Sequence, residues 1–197
     1  SRANLLAALI RDRISVPIVT TIHSDPKLDY MGRPLANFFY GSGNAWALKR
    51  LRYREGVSGP TCRMLTERGF SPLHTFEICN GVDFSDLSVP VDRESFMDSI
   101  GLQRKPDSVV FGIAARISPV KDMKTLVRGF AKAAEQEPGI RLVIAGEGEE
   151  RQSLEALTAE LNLRNKVVFA GWLKDTASFY NAIDVNLLTS LSEGFPY

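Results

Sequence analysis

"VVFGIAARISPVKDMKTLVRGF", residues 109–130, decides how the rest of the chain is read. Its first six residues are a short, β-branched, nearly continuous apolar run, the pattern of a strand buried on both faces. Arg116 and Lys121 follow, set around Pro119. A helical pattern then begins at once. Met123, Leu126, Val127, Phe130, Ala131 and Ala134 recur along one face and predict a helix over 122–136. Pro138 and Gly139 stop it. A buried strand followed directly by an amphipathic helix is the building unit of a parallel α/β sheet.

The same unit recurs downstream. "RLVIAG" (141–146) predicts a second buried strand, followed by a helix with Leu154, Leu157 and Leu161 on one side. "KVVFAG" (166–171) predicts a third strand, and Asp175 a cap for a short helix carrying Phe179, Tyr180 and Ile183. "DVNLLTS" (184–190) predicts a fourth. The first half of the chain is less regular. "NLLAALIRDR" (4–13) reads as a helix, "VPIVTTIH" (16–23) as a buried strand and 24–46 as loop with broken helix. "YREGVS" (53–58) reads as a short strand and "GPTCRMLTERG" (59–69) as a helix closed by Gly69. "HTFEICNG" (74–81) reads as a strand ending in an Asn-Gly turn. The polar stretch 83–107, with Pro90 and Pro106, reads as a linker holding one helical turn over Glu94–Ile100.

Composition sets the bounds. The chain has 197 residues, 44% apolar and 24% charged, with formal net charge +1. That excludes the global basic field of a nucleic-acid binder. Cys62 and Cys79 have no metal-ligand or redox spacing, which points to a reducing compartment. No apolar run approaches the length of a membrane span.

In open parallel sheets, ligands bind beyond the carboxyl ends of the strands. Arg116 and Lys121 follow the first strand of the second half, "GEGEE" the second, Trp172-Leu173 the third, and "TSLSEGFPY" with Glu193 the fourth. Phosphates on the cations, a base near an apolar wall and hydroxyls on a carboxylate would suit a nucleotide. Arg116 and Lys121 are otherwise solvated surface cations; Pro119 favours the anion reading because it stiffens the loop between them. Glu147, Glu149 and Glu150 would repel phosphate and are read as charges favouring the N-terminus of their own helix. Gly146 and Gly148 are read as allowing a tight turn or close backbone approach. Trp172 is either a rim aromatic or a wall beside a base. His23 is either structural or a cleft residue. "ALKRLRYR" (47–54) is either a solvated helix face or a contact with an anionic membrane surface.

Together these pieces resemble glycosyltransferase family 4, the retaining enzymes of the GT-B fold. "ICNGVDF" (78–84) is similar to the family's Asn-Gly-Val-Asp signature, and "AARISPVKDMKTLVRGF" to its Arg-x-x-x-x-Lys phosphate motif with the helix after it. "LVIAGEGEERQSLEALTAELNL" resembles its Gly-x-Gly turn and helix. "VVFAGWLKDTASFYNAIDVNLLTSLSEGFP" resembles the strand, short helix and Glu-Gly-Phe entry to its Glu-x7-Glu motif. "VPIVTTIHSD" is similar to its Thr-x-His strand.

The resemblance implies an α/β fold of two Rossmann-like parallel-sheet domains (GT-B type), both incomplete in this stretch. Residues 1–87 would belong to the acceptor domain, 88–107 to a linker and 108–197 to the donor domain. Arg116 and Lys121 would hold the donor diphosphate, with Gly112 and Gly146 in the donor site. Backbone near Trp172 and Leu173 would meet the base. Glu193 and the Gly194-Phe195 backbone would meet the sugar and phosphates. His23 would lie near the reacting sugar, and Asn80-Gly81 would form a turn at the cleft. The implied activity is transfer from a nucleotide-sugar donor, a UDP-sugar being expected, to a sugar or lipid-linked acceptor in glycan, polysaccharide or glycolipid synthesis. No metal and no cofactor are expected. The expected location is cytoplasmic, with peripheral contact at the inner membrane surface. The second Glu of the motif would lie beyond Tyr197, so the segment is read as part of a longer chain, inactive alone. A sugar-nucleotide epimerase, another GT-B enzyme and a non-catalytic nucleotide-sugar module remain alternatives on the same architecture.

Overall fold

The computed structural model of the chain describes residues 2–28, 31, 38, 41–81, 83, 88, 90–102, 105 and 107–195. Its contacts divide it into two compact units, one of Ser1–Val82 with Ser192–Tyr197, the other of Asp83–Leu191.

The first unit runs α1 (Arg2–Ile10), β1 (Val19–Ile22), α2 (Ser42–Arg50), β2 (Tyr53–Gly56), α3 (Gly59–Glu67) and β3 (Thr75–Glu77). The three strands pair in the order β1-β2-β3, all parallel. Ile22, Leu48 and Leu65 form one core cluster with Met64 and Phe70 packed against it; Ala8, Ala47 and Leu51 form another. Ser58 starts α3 by accepting the Thr61 N–H, and Pro60 occupies the first turn, where its missing N–H costs nothing. The strand expected over 16–23 is shorter than its apolar run. Val16 is 65% exposed and Val19 54%, so the pattern overstated burial at that end. Much of the loop read over 24–46 lies outside the described residues.

The cation run 47–54 is not a uniform charged face. Arg54 is buried, and its guanidinium donates to the carbonyls of Leu48 (2.7 Å) and Leu51, closing the C-terminal end of α2. It also stacks over the Phe70 ring at 4.3 Å, and burial pulls its pKa below the ordinary value. Arg50 pairs with Asp12 and lies over Trp46, while Arg52 bonds the His74 ring. Arg50, Arg52 and Arg54 thus each have a partner within the unit. Among the described residues no helix is long and apolar enough to cross a membrane.

Asp25, just past β1, is bonded through both carboxylate oxygens to Arg68 (2.8 and 2.6 Å). These hydrogen bonds hold its pKa below the ordinary 3.8, against the opposing effect of burial. Folding therefore favours the ionised carboxylate. The stabilisation is full above that ordinary value and is lost as pH falls through the lowered folded value. Asp25→Asn is expected to cost about 1 kcal/mol at neutral pH, since the pair is partly solvated. In urea titrations of both proteins, the gap should hold steady above about pH 5 and close below 3.8. A gap that does not change between pH 7 and 2 would refute this.

The second unit runs α4 (Arg93–Ser99), β4 (Val110–Ala114), α5 (Met123–Gln136), β5 (Arg141–Ala145), α6 (Arg151–Glu160), β6 (Val167–Gly171), α7 (Thr176–Ala182) and β7 (Val185–Asn186). Its sheet is all parallel in the order β6-β5-β4-β7. Ile113, Leu142 and Ile144 pack on one face against α5 and α6 through Leu126, Val127, Phe130 and Leu154. Val110, Val143 and Ala145 pack on the other against α4 and α7 through Phe96, Met97, Phe179 and Ala182. Burial on both faces is why these strands read as continuous apolar runs rather than alternating ones. Asp92 and Asp175 cap α4 and α7 by accepting the N–H of Ser95 and Ser178.

The helical turn expected within residues 88–107 is present as α4, and Phe96, Met97 and Leu102 are buried in the second unit. A seven-residue helix is too short to display a periodic stripe. The strand expected over 184–190 pairs only at Val185–Asn186. Leu187 N–H still reaches Gly112 O at 2.8 Å, and the chain then leaves the sheet.

Candidate active site

In the second unit, the carboxyl ends of the four strands release four loops. The loop after β4 is pinned at both ends by apolar side chains, since Ile117 and Met123 are fully buried in the core. Between those anchors the backbone takes a 3₁₀ turn, Pro119–Lys121, and enters α5 through Asp122 in the left-handed region (φ 45°). Arg116 is exposed beside the buried Ile117, and Lys121 is half-buried at the end of the turn. The two cations therefore stand on a loop that can deform little.

Neighbouring loops grip it from two sides. From the β5 side, Ala115 N–H bonds Ala145 O and Ile117 N–H bonds Glu147 O, both at 2.9 Å, and Glu150 N–H returns to Ile117 O at 3.3 Å. This is the close backbone approach for which Gly146 and Gly148 are needed. A Cβ on Gly146 would lie 2.0 Å from Ala115 O, and one on Gly148 2.0 Å from Ile117 O. From the β7 side, Leu191 N–H bonds Val120 O at 2.8 Å and the Thr189 hydroxyl bonds Lys121 O at 3.0 Å. The hydroxyls of Ser118 and Ser190, in the same two segments, are buried with no hydrogen-bond partner among the described residues.

The acidic run after β5 is neutralised locally. Glu150 pairs with Lys124 on α5 at 2.7 Å, and Glu147 with Arg151, which also holds Glu155 at 2.9 Å. Glu150 stands at the N-terminus of α6, where its charge was expected, and its side chain reaches across to α5 without making a side-chain cap. After β6, Trp172 is 77% exposed, whereas Leu173 packs against the α4–α7 cluster. Gly112 sits apart from these loops. It is buried in the middle of β4, and a Cβ there would meet Ile183 and Phe179 within 3 Å, so packing alone accounts for the glycine.

In the first unit, the segment Ser192–Phe195 lies across the carboxyl ends of all three strands. Gly194 sits against the chain just past β1 and β2: a Cβ on it would be 1.7 Å from His23 O and 2.9 Å from a Val57 methyl. Past β3, the Asn80 amide donates to Phe195 O at 3.2 Å. His23 and Gly81 are exposed, Glu193 is half-buried and Phe195 is 41% exposed. The structure thus brings His23, Asn80, Gly194 and Phe195 together in one unit, and Arg116, Lys121 and Gly146 in the other. Among the described residues no cluster of three or more His, Cys, Asp or Glu side chains is placed to hold a metal ion. Cys62 and Cys79 are free thiols.

Thr189, Ser118 and Ser190 have no separate signal in the sequence. Hydroxyl residues are common in loops, and only the chain path brings these three to one turn.

A family model described as glycosyl transferases group 1 matches residues 95–197. The lipopolysaccharide core biosynthesis glycosyltransferase LpsE of Rhizobium meliloti is 34% identical over 97 residues, 49% of this chain and 27% of that protein. The UDP-Gal:alpha-D-GlcNAc-diphosphoundecaprenol alpha-1,3-galactosyltransferase of Escherichia coli is 30% identical over 129 residues, 64% of this chain and 33% of that protein. The matched stretches therefore span a third or less of the length of these relatives. The crystal structure of Anabaena Alr3699/HepE in complex with UDP and glucose superposes with a TM-score of 0.76 at 21% identity, over 96% of this chain and 50% of that one. At that identity the likeness shows the fold: parallel-sheet α/β units of the GT-B type.

Proposed function

We propose that this chain, which belongs to the group 1 glycosyl transferases through its match over residues 95–197, is part of a retaining family 4 enzyme. Its reaction moves a sugar from a nucleoside diphosphate sugar to a sugar or lipid-linked acceptor. The observation that carries this reading is the Arg116–Lys121 loop, two cations on a loop braced by backbone hydrogen bonds at the carboxyl end of β4. A UDP-sugar is the donor we infer, because UDP is bound in the Anabaena structure and UDP-Gal is named for the Escherichia coli relative.

In the proposed step the bond between sugar and diphosphate breaks, with positive charge gathering on the sugar and negative charge on the leaving diphosphate. Arg116 and Lys121 stabilise that growing negative charge. They are preorganised, so no reorganisation is needed as it develops. To Glu193 and the Gly194-Phe195 backbone we assign contacts with the donor sugar, and to His23 the neighbourhood of the reacting carbon. Trp172 and Leu173 are assigned to the base.

A thermal-shift screen of the full-length protein against UDP-, GDP- and ADP-sugars tests the donor class. A UDP-sugar at a hundredfold excess over its Kd is expected to raise Tm by roughly 5 °C or more. No shift with any of the three would overturn the reading. With the donor in hand, the anomeric coupling of the product by NMR tests retention; an inverted product would refute the family 4 assignment.

A further inference from the structure

We propose that Thr189 is a positioning residue for Lys121: its hydroxyl fixes the end of the Pro119–Lys121 turn so that the lysine is held ready for the donor diphosphate. This rests on the donor reading given above.

Lys121 is the last residue of its turn, and its main chain is tied at both ends. Its N–H donates to Ser118 O at 2.9 Å. Its carbonyl accepts the Thr189 Oγ1–H at 3.0 Å, from a residue 68 positions away. The next residue, Asp122, is in the left-handed region, which few side chains occupy without cost. A carbonyl held from outside fixes the peptide plane between Lys121 and Asp122. That plane, with the Lys121 N–H bond, sets the direction of the Lys121 Cα–Cβ bond. Two residues on, Leu191 N–H holds Val120 O at 2.8 Å, so the stretch after β7 runs alongside the turn and carries Thr189 with it. This also explains why β7 pairs over two residues only. Beyond Leu187 the chain serves the turn rather than the sheet.

The hydroxyl can be removed without changing shape. Thr189→Val keeps the β-branch and deletes the donor, whereas Thr189→Ser keeps the donor. The experiment measures UDP and uridine affinity of the full-length protein, by calorimetry and ligand-observed NMR. The variants are Thr189→Val, Thr189→Ser, Lys121→Ala and the Thr189→Val/Lys121→Ala pair. Loss of one hydrogen bond to a half-buried carbonyl, felt through Lys121, is expected to weaken UDP about five- to tenfold in Thr189→Val. Thr189→Ser should stay within about twofold of wild type, and uridine, which has no phosphate, should bind unchanged. The double variant should bind UDP no more weakly than Lys121→Ala alone, because the two residues act as one unit.

Wild-type UDP affinity in Thr189→Val would overturn the proposal. So would a parallel loss of UDP and uridine, which marks general loosening, or an additive double variant. Wild-type UDP affinity in Lys121→Ala would instead overturn the donor reading itself. Weak binding in Lys121→Ala with none of the expected loss in Thr189→Val would sink the positioning role alone.

Discussion

Arg116→Ala and Lys121→Ala are each expected to slow sugar transfer by the full-length enzyme about 10²–10³-fold. Folding stability should change little. Arg116 is exposed, and substitution of an exposed side chain away from the core typically stays within about 0.5 kcal/mol. The large kinetic effect arises because the charge on the departing diphosphate is greatest in the transition state, so the lost interaction is lost mainly there. Charge alone is not enough to give that effect. The cations must already stand where the charge develops, and the bonds from the β5 and β7 loops supply that rigidity. Measuring kcat/KM together with Tm checks the prediction. Wild-type turnover in either variant would remove the corresponding residue from the mechanism. A fall in Tm that accounts for the whole loss would make its role structural.

Gly146→Ala is expected to destabilise the second unit by about 3–5 kcal/mol, the combined cost of a strained backbone and an overpacked contact. Gly146 has φ 133°, a conformation that side-chain-bearing residues rarely adopt, and its added methyl would meet the Ala115 carbonyl at 2.0 Å. Relief requires the loops after β4 and β5 to move apart. That breaks the Ala115–Ala145 and Ile117–Glu147 hydrogen bonds and shifts Arg116, which lies between them. Nucleotide affinity should therefore fall together with stability, unlike in the Arg116 variant, where transfer slows with little change in stability. Urea denaturation of the full-length protein, followed through the second unit, is the measurement. A variant as stable as wild type would mean that the loops separate without cost.

On the proposed reading, these two substitutions separate charge from the backbone that holds it. Arg116 supplies charge, and Gly146 supplies the backbone path that keeps the charge in place. In the sequence the two looked alike as candidate donor-site residues; the packing distances separate their roles. Gly112 is separated the same way. It lies in the same stretch as Arg116, yet its missing side chain makes room for Ile183 and Phe179 in the core.

The strands and helices of the second unit were legible because their signals are local. Val110–Ala114 and Arg141–Ala145 are apolar throughout since both faces of the sheet are covered, and Met123–Gln136 shows its buried stripe at helical spacing. Asp175 announced the start of α7 through a hydrogen bond only three residues long. Knowing that the strands are parallel was then enough to place Arg116 and Lys121 at a carboxyl edge. Other features depend on partners far along the chain and left no local trace. Arg54 reads as one more cation in a charged run, but the fold buries it under α2, where helix carbonyls and the Phe70 ring surround it. The strand pattern of 184–190 ends early because Thr189 and Leu191 turn to the loop after β4. Phe195 meets Asn80 across 115 residues. Periodicity, capping and burial on both faces are properties of neighbouring residues and can be read from their order. Which carbonyl a distant hydroxyl reaches depends on the path of the whole chain, and that was decided only when the sheets assembled.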